Sequence, residues 1–305
     1  MTMPVPGDPV ASDTAAGESG LTVAERLHLK LAELTPAERK VARALMVDYP
    51  VLGLEPVAKL AAVAGVSAPT VIRLVTKLSF DGYAEFQQSL KSEVSARLSS
   101  PREMHAGRLA GERGDVLSRA EQMYCEGIRA SFARLPRSEF EQVIRLLADS
   151  RRGVTVIGGR FSFLLAEYLA ANLRVLRPNV HVVSSLGADR VGSLLDVGRR
   201  DVVVVFDYRR YQRDTVRAAA IAKKRGATLI VFTDPYLSPL GAQADVLLTS
   251  SVLSPSPFIT LTPALAMVEA IIAAVLDRLA DAPLERMARY DTLSAGTVAE
   301  AREEA

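Results

Sequence analysis

The chain has 305 residues, enough for two domains that each bury a core. It is 49% apolar and 24% charged, as in soluble globular proteins, and its formal net charge of +2 means that any basic surface is local. The single Cys125 excludes an intramolecular disulfide framework and fits a reducing cytoplasm, while His28, His105 and His181 lack metal-ligand spacing, so no metal or other cofactor is expected.

Residues 1–20 are rich in Pro, Gly, Ala, Ser and acidic residues. They lack the basic start and apolar centre of a signal peptide and read as a disordered tail. Residues 21–96 read as an all-helical domain. Thr35-Pro36-Ala37-Glu38 is a capping box with proline at the first helical position, and its helix runs to about Asp48, where Tyr49-Pro50 ends it. Pro56 opens the next helix. After a turn at Ser79-Phe80-Asp81-Gly82-Tyr83, Phe86 and Leu90 mark another amphipathic helix.

Within this domain, Leu60 to Leu78 reads as two short helices hinged at Gly65, with small residues at Ala61 and Ala64 for close approach. Val66 is placed to plug the gap between them. Ser67 is expected as the N-cap of the second helix, with Pro69 in its first turn. Val71, Leu74, Val75 and Leu78 form the inward stripe, and Thr70, Arg73 and Lys77 fall on a polar face. The pattern is that of a helix-turn-helix whose second helix enters a DNA major groove, an ordinary helical hairpin with a solvated face being the plainer alternative.

Residues 97–114 carry Pro, Gly, Ser and charges without apolar periodicity and read as a linker. Helical patterns resume from Asp115 to about Ser150. Short β-branched runs then follow at Val154–Ile157, His181–Val183, Val202–Phe206, Thr228–Phe232 and Asp245–Leu248, most of them separated by helical segments. Such a pattern means a five-stranded parallel sheet covered by helices on both faces, so residues 115–285 read as a doubly wound α/β domain with any ligand at the carboxyl ends of its strands. The apolar run Ile259–Leu276 approaches membrane-spanning length, but Pro263 and Glu269 interrupt it, and it reads as a buried core helix; no membrane partner is expected. Residues 286–305 read as a C-terminal tail.

This order of domains resembles the RpiR/MurR family of bacterial transcriptional regulators, in which a helix-turn-helix is joined to a sugar isomerase (SIS) domain. The residues that carry the resemblance are Leu34-Thr35-Pro36-Ala37-Glu38-Arg39, Leu60-Ala61, Gly65-Val66-Ser67, Thr70-Val71-Ile72-Arg73, Lys77-Leu78 and Phe80-Asp81-Gly82-Tyr83 with Phe86. Ser79 stands where the family usually has Gly. In the second half the family's first site loop, Gly-x-Gly-x-Ser, is matched by Gly158, Ser162 and the following Ala166, but Arg160 replaces the second Gly. Glycine there lets backbone amides reach an anion at a helix N-terminus; Arg160 crowds that cradle, although its guanidinium can itself grip an anion.

The family's second loop, Ser-x-Ser-Gly-x-Thr, is replaced more thoroughly. Counted from the third strand, its serines fall on Asp207 and Arg209 and its glycine on Arg210. Arginines for hydroxyls imply a ligand held by charge and bidentate hydrogen bonds, either phosphate or carboxylate. Asp207 either neutralises an arginine or binds ligand hydroxyls, and Glu269, in an apolar helix, needs a partner such as one of these arginines or a helix N-terminus. Ser238 reads as a helix cap.

The resemblance implies a DNA-binding regulator and not an enzyme. Ser67, Pro69, Thr70, Arg73 and Lys77 are its expected DNA contacts, on an inverted-repeat operator in double-stranded DNA. Gly158, Arg160, Ser162, Asp207, Arg209, Arg210 and Glu269 are its expected contacts to a small anionic metabolite, a phosphosugar or sugar acid. A homodimer or homotetramer is expected. The alternatives are a regulator whose SIS domain only oligomerises and, further off, a sugar-phosphate isomerase, which would need a positioned base that the site loops do not offer as histidine.

Overall fold

The computed structural model describes residues 21–98, 102, 115–183 and 187–295; the expected N-terminal tail and nearly all of the expected linker lie outside the described residues. The chain divides into two compact units, residues 1–97 and 98–305.

The first unit is all-helical: α1 (Val23–Lys30), α2 (Pro36–Val47), α3 (Val51–Leu54), α4 (Val57–Ala64), α5 (Ala68–Lys77) and α6 (Tyr83–Leu98). Capping boxes at Thr22/Glu25 and Thr35/Glu38 start α1 and α2 by satisfying amides that have no helical partner. Leu27, Val41, Leu45, Leu60, Val71, Leu74, Leu78, Phe86 and Leu90 fill one core, with Val66 packed at its edge. Between α4 and α5 the chain bends by 101°, and Gly65 makes the turn in the left-handed region at φ 64. No atom lies within 4 Å of where a Gly65 Cβ would be, so glycine is required by backbone conformation and not by space.

The second unit contains α7 (Val116–Ala133), α8 (Arg137–Ala148), β1 (Val154–Gly158), α9 (Phe163–Leu176), β2 (Val180–Val182), α10 (Gly187–Gly192), β3 (Val202–Phe206), α11 (Arg213–Lys224), β4 (Thr228–Thr233), β5 (Val246–Thr249), α12 (Thr262–Leu279) and α13 (Leu284–Ser294). The strands form one parallel sheet in the order β2-β1-β3-β4-β5. Val154, Val156, Val202, Val204, Phe206, Ile230 and Phe232 face a core shared with α8, α9 and α12. The intervening Val203, Val205, Leu229 and Val231 are equally buried on the other face, against which α11 packs. Ile259–Leu276 falls mostly within α12, and among the described residues no single helix is long and apolar enough to cross a membrane.

A buried arginine ties the lower end of this unit together. Arg177, 1% exposed, donates from Nη1 to the carbonyls of Leu147 (2.7 Å) and Asp149 (3.0 Å), which α8 leaves without helical partners. One boundary differs from the sequence reading: the chain is helical to Ser294, so the expected tail from 286 begins as α13. No residue of α13 is buried, which is why its weak apolar pattern did not mark it.

Candidate functional site

α5 is locked onto its unit at its C-terminal end. Its C-terminal carbonyls accept from α1: Arg26 Nη1 reaches the Leu78 and Ser79 oxygens at 2.8 and 3.0 Å, and Lys30 Nζ reaches the Lys77 oxygen at 2.9 Å. Positive groups at a helix C-terminus are favourable because the last carbonyls there are unpaired. Lys77 Nζ donates to the Glu33 carbonyl at 2.9 Å and pairs with Glu38 at 3.3 Å. Burial pushes the Glu38 carboxyl up, but hydrogen bonds from Thr35 and the charge of Lys77 outweigh it and hold Glu38 below its ordinary value.

The expected DNA contacts separate into two groups. Ser67, Pro69 and Arg73 are exposed, as expected of a face that meets a partner. Thr70 is 5% exposed and Lys77 is half-buried in its contacts with α2, so neither faces outward as the sequence reading had it. At about 100° per residue, the buried stripe Val71-Leu74-Val75-Leu78 sets the outward face at positions 69, 72, 73 and 76. Thr70 and Lys77 fall on its flank. Ile72 and Thr76, both exposed, are the outward residues that the sequence reading missed; the phase of the buried stripe was the signal that marks them.

The cap at Ser67 also differs. Its backbone has the extended N-cap conformation, but its side chain caps no amide. Instead Ser67 Oγ lies 3.0 Å from Thr70 Oγ1, which accepts from Arg73 Nη2 at 3.0 Å. The hydroxyl is spent on a relay that orients the arginine.

In the second unit, the strand order reverses between β1 and β3, the place where a doubly wound sheet opens a crevice at its carboxyl edge. Gly158 ends β1, and a Cβ there would lie 2.4 Å from the Phe163 Cα, so glycine is what lets α9 start so close to the strand. Ser162 is buried. Its Oγ donates to the Phe206 carbonyl (2.7 Å) and accepts from the Gly159 amide (2.9 Å), so it fastens the loop to β3 and does not face a ligand as expected. The Arg160 amide donates to Gln212 Oε1 at 2.8 Å, joining the two loops across the switch point.

Asp207 is 1% exposed and accepts from the Ser238 hydroxyl, which in turn accepts from the Leu240 amide at 3.1 Å. It neither neutralises an arginine nor reaches the surface, contrary to both sequence alternatives. Burial pushes its carboxyl up to about 7; the Ser238 hydroxyl and Gln212 amide oppose this, and the charges of Asp234 and Asp214 add to it. Asp234 is fully buried and accepts from the Arg209 amide (2.6 Å), the Tyr211 hydroxyl (2.7 Å) and the Tyr236 amide (3.0 Å). Burial raises its pKa as well, against those three donors and the charge of Arg209.

The arginines lie outside these carboxylates. Arg160 is exposed with its guanidinium 5.2 Å from the Phe161 ring centre, and Arg209 lies 5.0 Å from that of Tyr236. Arg210 is exposed and holds a left-handed φ of 73. Behind the loops the buried Arg190 donates to the Gly158 carbonyl (2.7 Å) and Thr215 Oγ1 (2.9 Å), a brace with no motif to announce it. Glu269 is exposed on α12 and accepts from the Tyr168 hydroxyl of α9 at 3.1 Å. The arginine or helix terminus expected as its partner is a tyrosine. Among the described residues no group of three or more His, Cys, Asp or Glu side chains is arranged to hold a metal ion.

Comparison with known proteins agrees with this architecture. Residues 21–97 match the helix-turn-helix domain of the rpiR family, and residues 146–274 match the SIS domain. An HTH-type transcriptional regulator from the aarA 3' region of Providencia stuartii is 22% identical over 223 residues, covering 70% of this chain and 74% of its own. The bifunctional protein glk of Paraburkholderia xenovorans is 27% identical over 237 residues; the match covers 76% of this chain but only 36% of that protein. In fold, the sugar isomerase domain of an RpiR transcription factor from Sphaerobacter thermophilus matches with a TM-score of 0.56 at 22% identity, over 59% of this chain and 99% of that one. The NanR protein of Vibrio vulnificus, solved in complex with ManNAc-6P, matches with a TM-score of 0.53 at 16% identity, over 91% and 99%. The chain therefore joins a helix-turn-helix domain of the rpiR family to a five-stranded parallel SIS domain, the domain composition of a transcriptional regulator.

Proposed function

We propose that this regulator binds an inverted-repeat operator as a homodimer or homotetramer, through the outward face of α5, and that a small anionic metabolite at the carboxyl edge of its sheet modulates that binding. Ser67, Pro69 and Arg73 meet the DNA, with Arg73 placed to bond bidentately to guanine. Thr70 and Lys77 act as positioning residues, through Arg73 and α2. Leu164 and Tyr168 lie one turn apart on the exposed face of α9, with Phe161 exposed in the turn before it, which supports association of SIS domains through that helix. The setting is the cytoplasm, and the reading contains no catalytic step.

The observation that carries the ligand site is Arg210. An L-residue in the left-handed region is held there at a cost, and such positions cluster where a side chain is needed. Arg160, Arg209 and Arg210 together supply charge for a phosphate or carboxylate at the mouth of the crevice. The ManNAc-6P bound by the structurally similar NanR supports a phosphosugar as the first class to try.

The test is a thermal-shift screen of the full chain against phosphosugars, sugar acids and inorganic phosphate, repeated on an Arg209→Ala/Arg210→Ala variant. A ligand that stabilises the wild type and not the variant, and that changes operator affinity, supports the sensor. No response from a folded chain favours a SIS domain that only oligomerises, a reading to which the closed Arg160–Gln212 contact also lends itself.

A further inference from the structure

The outward face of α5 is not uniformly polar. Positions 69, 72, 73 and 76 are spaced i, i+3, i+4 and i+7, and all four are exposed. Three of them are Pro69, Arg73 and Thr76; the fourth, Ile72, is a β-branched apolar side chain 38% exposed beside the arginine. Every other large apolar residue of this helix (Val71, Leu74 and Val75) is buried to 1% or less. Ile72 stands outside the core stripe and leaves part of its apolar surface in water, which is unfavourable unless a partner covers it. A groove that combines polar base edges with a methyl group on one base suits the pair: thymine presents its C5-methyl in the major groove, beside the acceptors that an arginine reads on guanine.

We infer that Ile72 is a specificity-determining residue that packs on a thymine methyl group in each operator half-site, next to the base read by Arg73. The inference rests on the DNA-binding reading above and adds to it the class of base that this helix selects. Arg73 Nη2 donates to Thr70 Oγ1, and Thr70 is itself buried and paired with Ser67, which orients the arginine toward its own side of the helix, away from Ile72. The arginine therefore reaches along one side of the helix and leaves the adjoining position to the isoleucine. Thr76, one turn further on, is exposed on the same face.

The test uses the full chain and an operator selected by it from random double-stranded DNA. Each thymine of that operator is replaced in turn by deoxyuridine, which removes the methyl and leaves pairing intact. With wild type, one thymine per half-site should cost about three- to fivefold in affinity on losing its methyl, the worth of one buried methyl group. In Ile72→Ala that penalty should vanish at that thymine alone. Ile72→Val, which keeps a branched apolar side chain, should retain part of it and serves if the alanine variant folds poorly. Arg73→Ala should keep the methyl penalty and lose preference at a neighbouring guanine. If no thymine methyl matters, or if Ile72→Ala keeps the wild-type penalties, Ile72 does not read DNA although the protein binds it. If selection yields no preferred sequence at all, the DNA-binding reading fails with it.

Discussion

Lys77, the last residue of α5, places its Nζ 3.3 Å from a carboxylate oxygen of Glu38, the residue that closes the capping box at the start of α2. The same Nζ donates to the Glu33 carbonyl at 2.9 Å. A lysine on a recognition helix is ordinarily read as a phosphate contact, but this one is committed to holding two helices at a fixed angle. Lys77→Met, which keeps the aliphatic stem, should therefore cost about 1 kcal/mol of stability. The salt dependence of DNA binding separates the two roles. A lost phosphate contact would lower the slope of log K against log salt by about 0.9. The expected outcome is a lower melting temperature with the slope unchanged.

Two positions in the first unit test the cost of left-handed backbone. Ser79 sits at φ 64 just after α5, with its amide on the Thr76 carbonyl and the Phe80 amide on the Val75 carbonyl. This is the closing turn in which glycine is favoured, and the residue where this chain departs from the family's glycine has kept the glycine conformation. Ser79→Gly should stabilise the chain by about 1 kcal/mol, less the contact of its hydroxyl with Lys30. Gly65→Ala should do the reverse by a similar amount, and without any clash, since the space around it is open. Denaturant midpoints of the two variants read both effects; equal shifts of the same sign would refute the backbone account.

Much of this architecture is legible in the chain because it rests on local chemistry. The Thr35/Glu38 box, the Gly65 hinge and the β-branched runs each state their own geometry, and the structure has elements at all of them. What was not legible depends on partners far away in sequence. Lys77 and Glu38 are 39 residues apart, and Tyr168 and Glu269 are 101 apart, so neither pairing follows from any periodicity. Thr70 is a different case: as a polar residue it reads as facing water, whereas it is buried on the flank of the outward face of α5, where its hydroxyl is satisfied by Ser67 and Arg73. Asp207 likewise looked like a ligand contact because it follows a strand, yet its place beneath the loop is set by Ser238 from the next strand's turn.

Asp207 makes a prediction about pH. Its carboxyl, ordinarily near 3.8, is pushed up to about 7 in the folded chain, by burial first and then by the charges of Asp234 and Asp214. Between these two values the folded state holds a proton that the unfolded state has released, so this group's contribution to stability falls as pH rises through the window and levels off above it. Asp207→Asn stays neutral in both states and keeps an acceptor for the Ser238 hydroxyl. The difference in melting temperature, variant minus wild type, should therefore grow by several degrees from pH 5 to pH 8. A difference that stays constant over that range would mean that Asp207 is ionised throughout.

Arg210 separates conformation from function at the sheet edge. Its φ of 73 lies in the left-handed region that favours glycine, at the position where the resemblance implies a glycine. Arg210→Gly should ease that conformation and raise the melting temperature of the unliganded chain, by an amount on the order of 1 kcal/mol. Arg210→Ala removes the same guanidinium and keeps the strain. If Arg210 is retained to hold an anion, both variants should lose the stabilisation that the wild type gains from a phosphosugar or from inorganic phosphate, while only the glycine variant gains stability without ligand. If the two variants differ from each other but respond to anions as the wild type does, the strained turn is a relic of the scaffold, and the anion, where one binds, is held by Arg160 and Arg209.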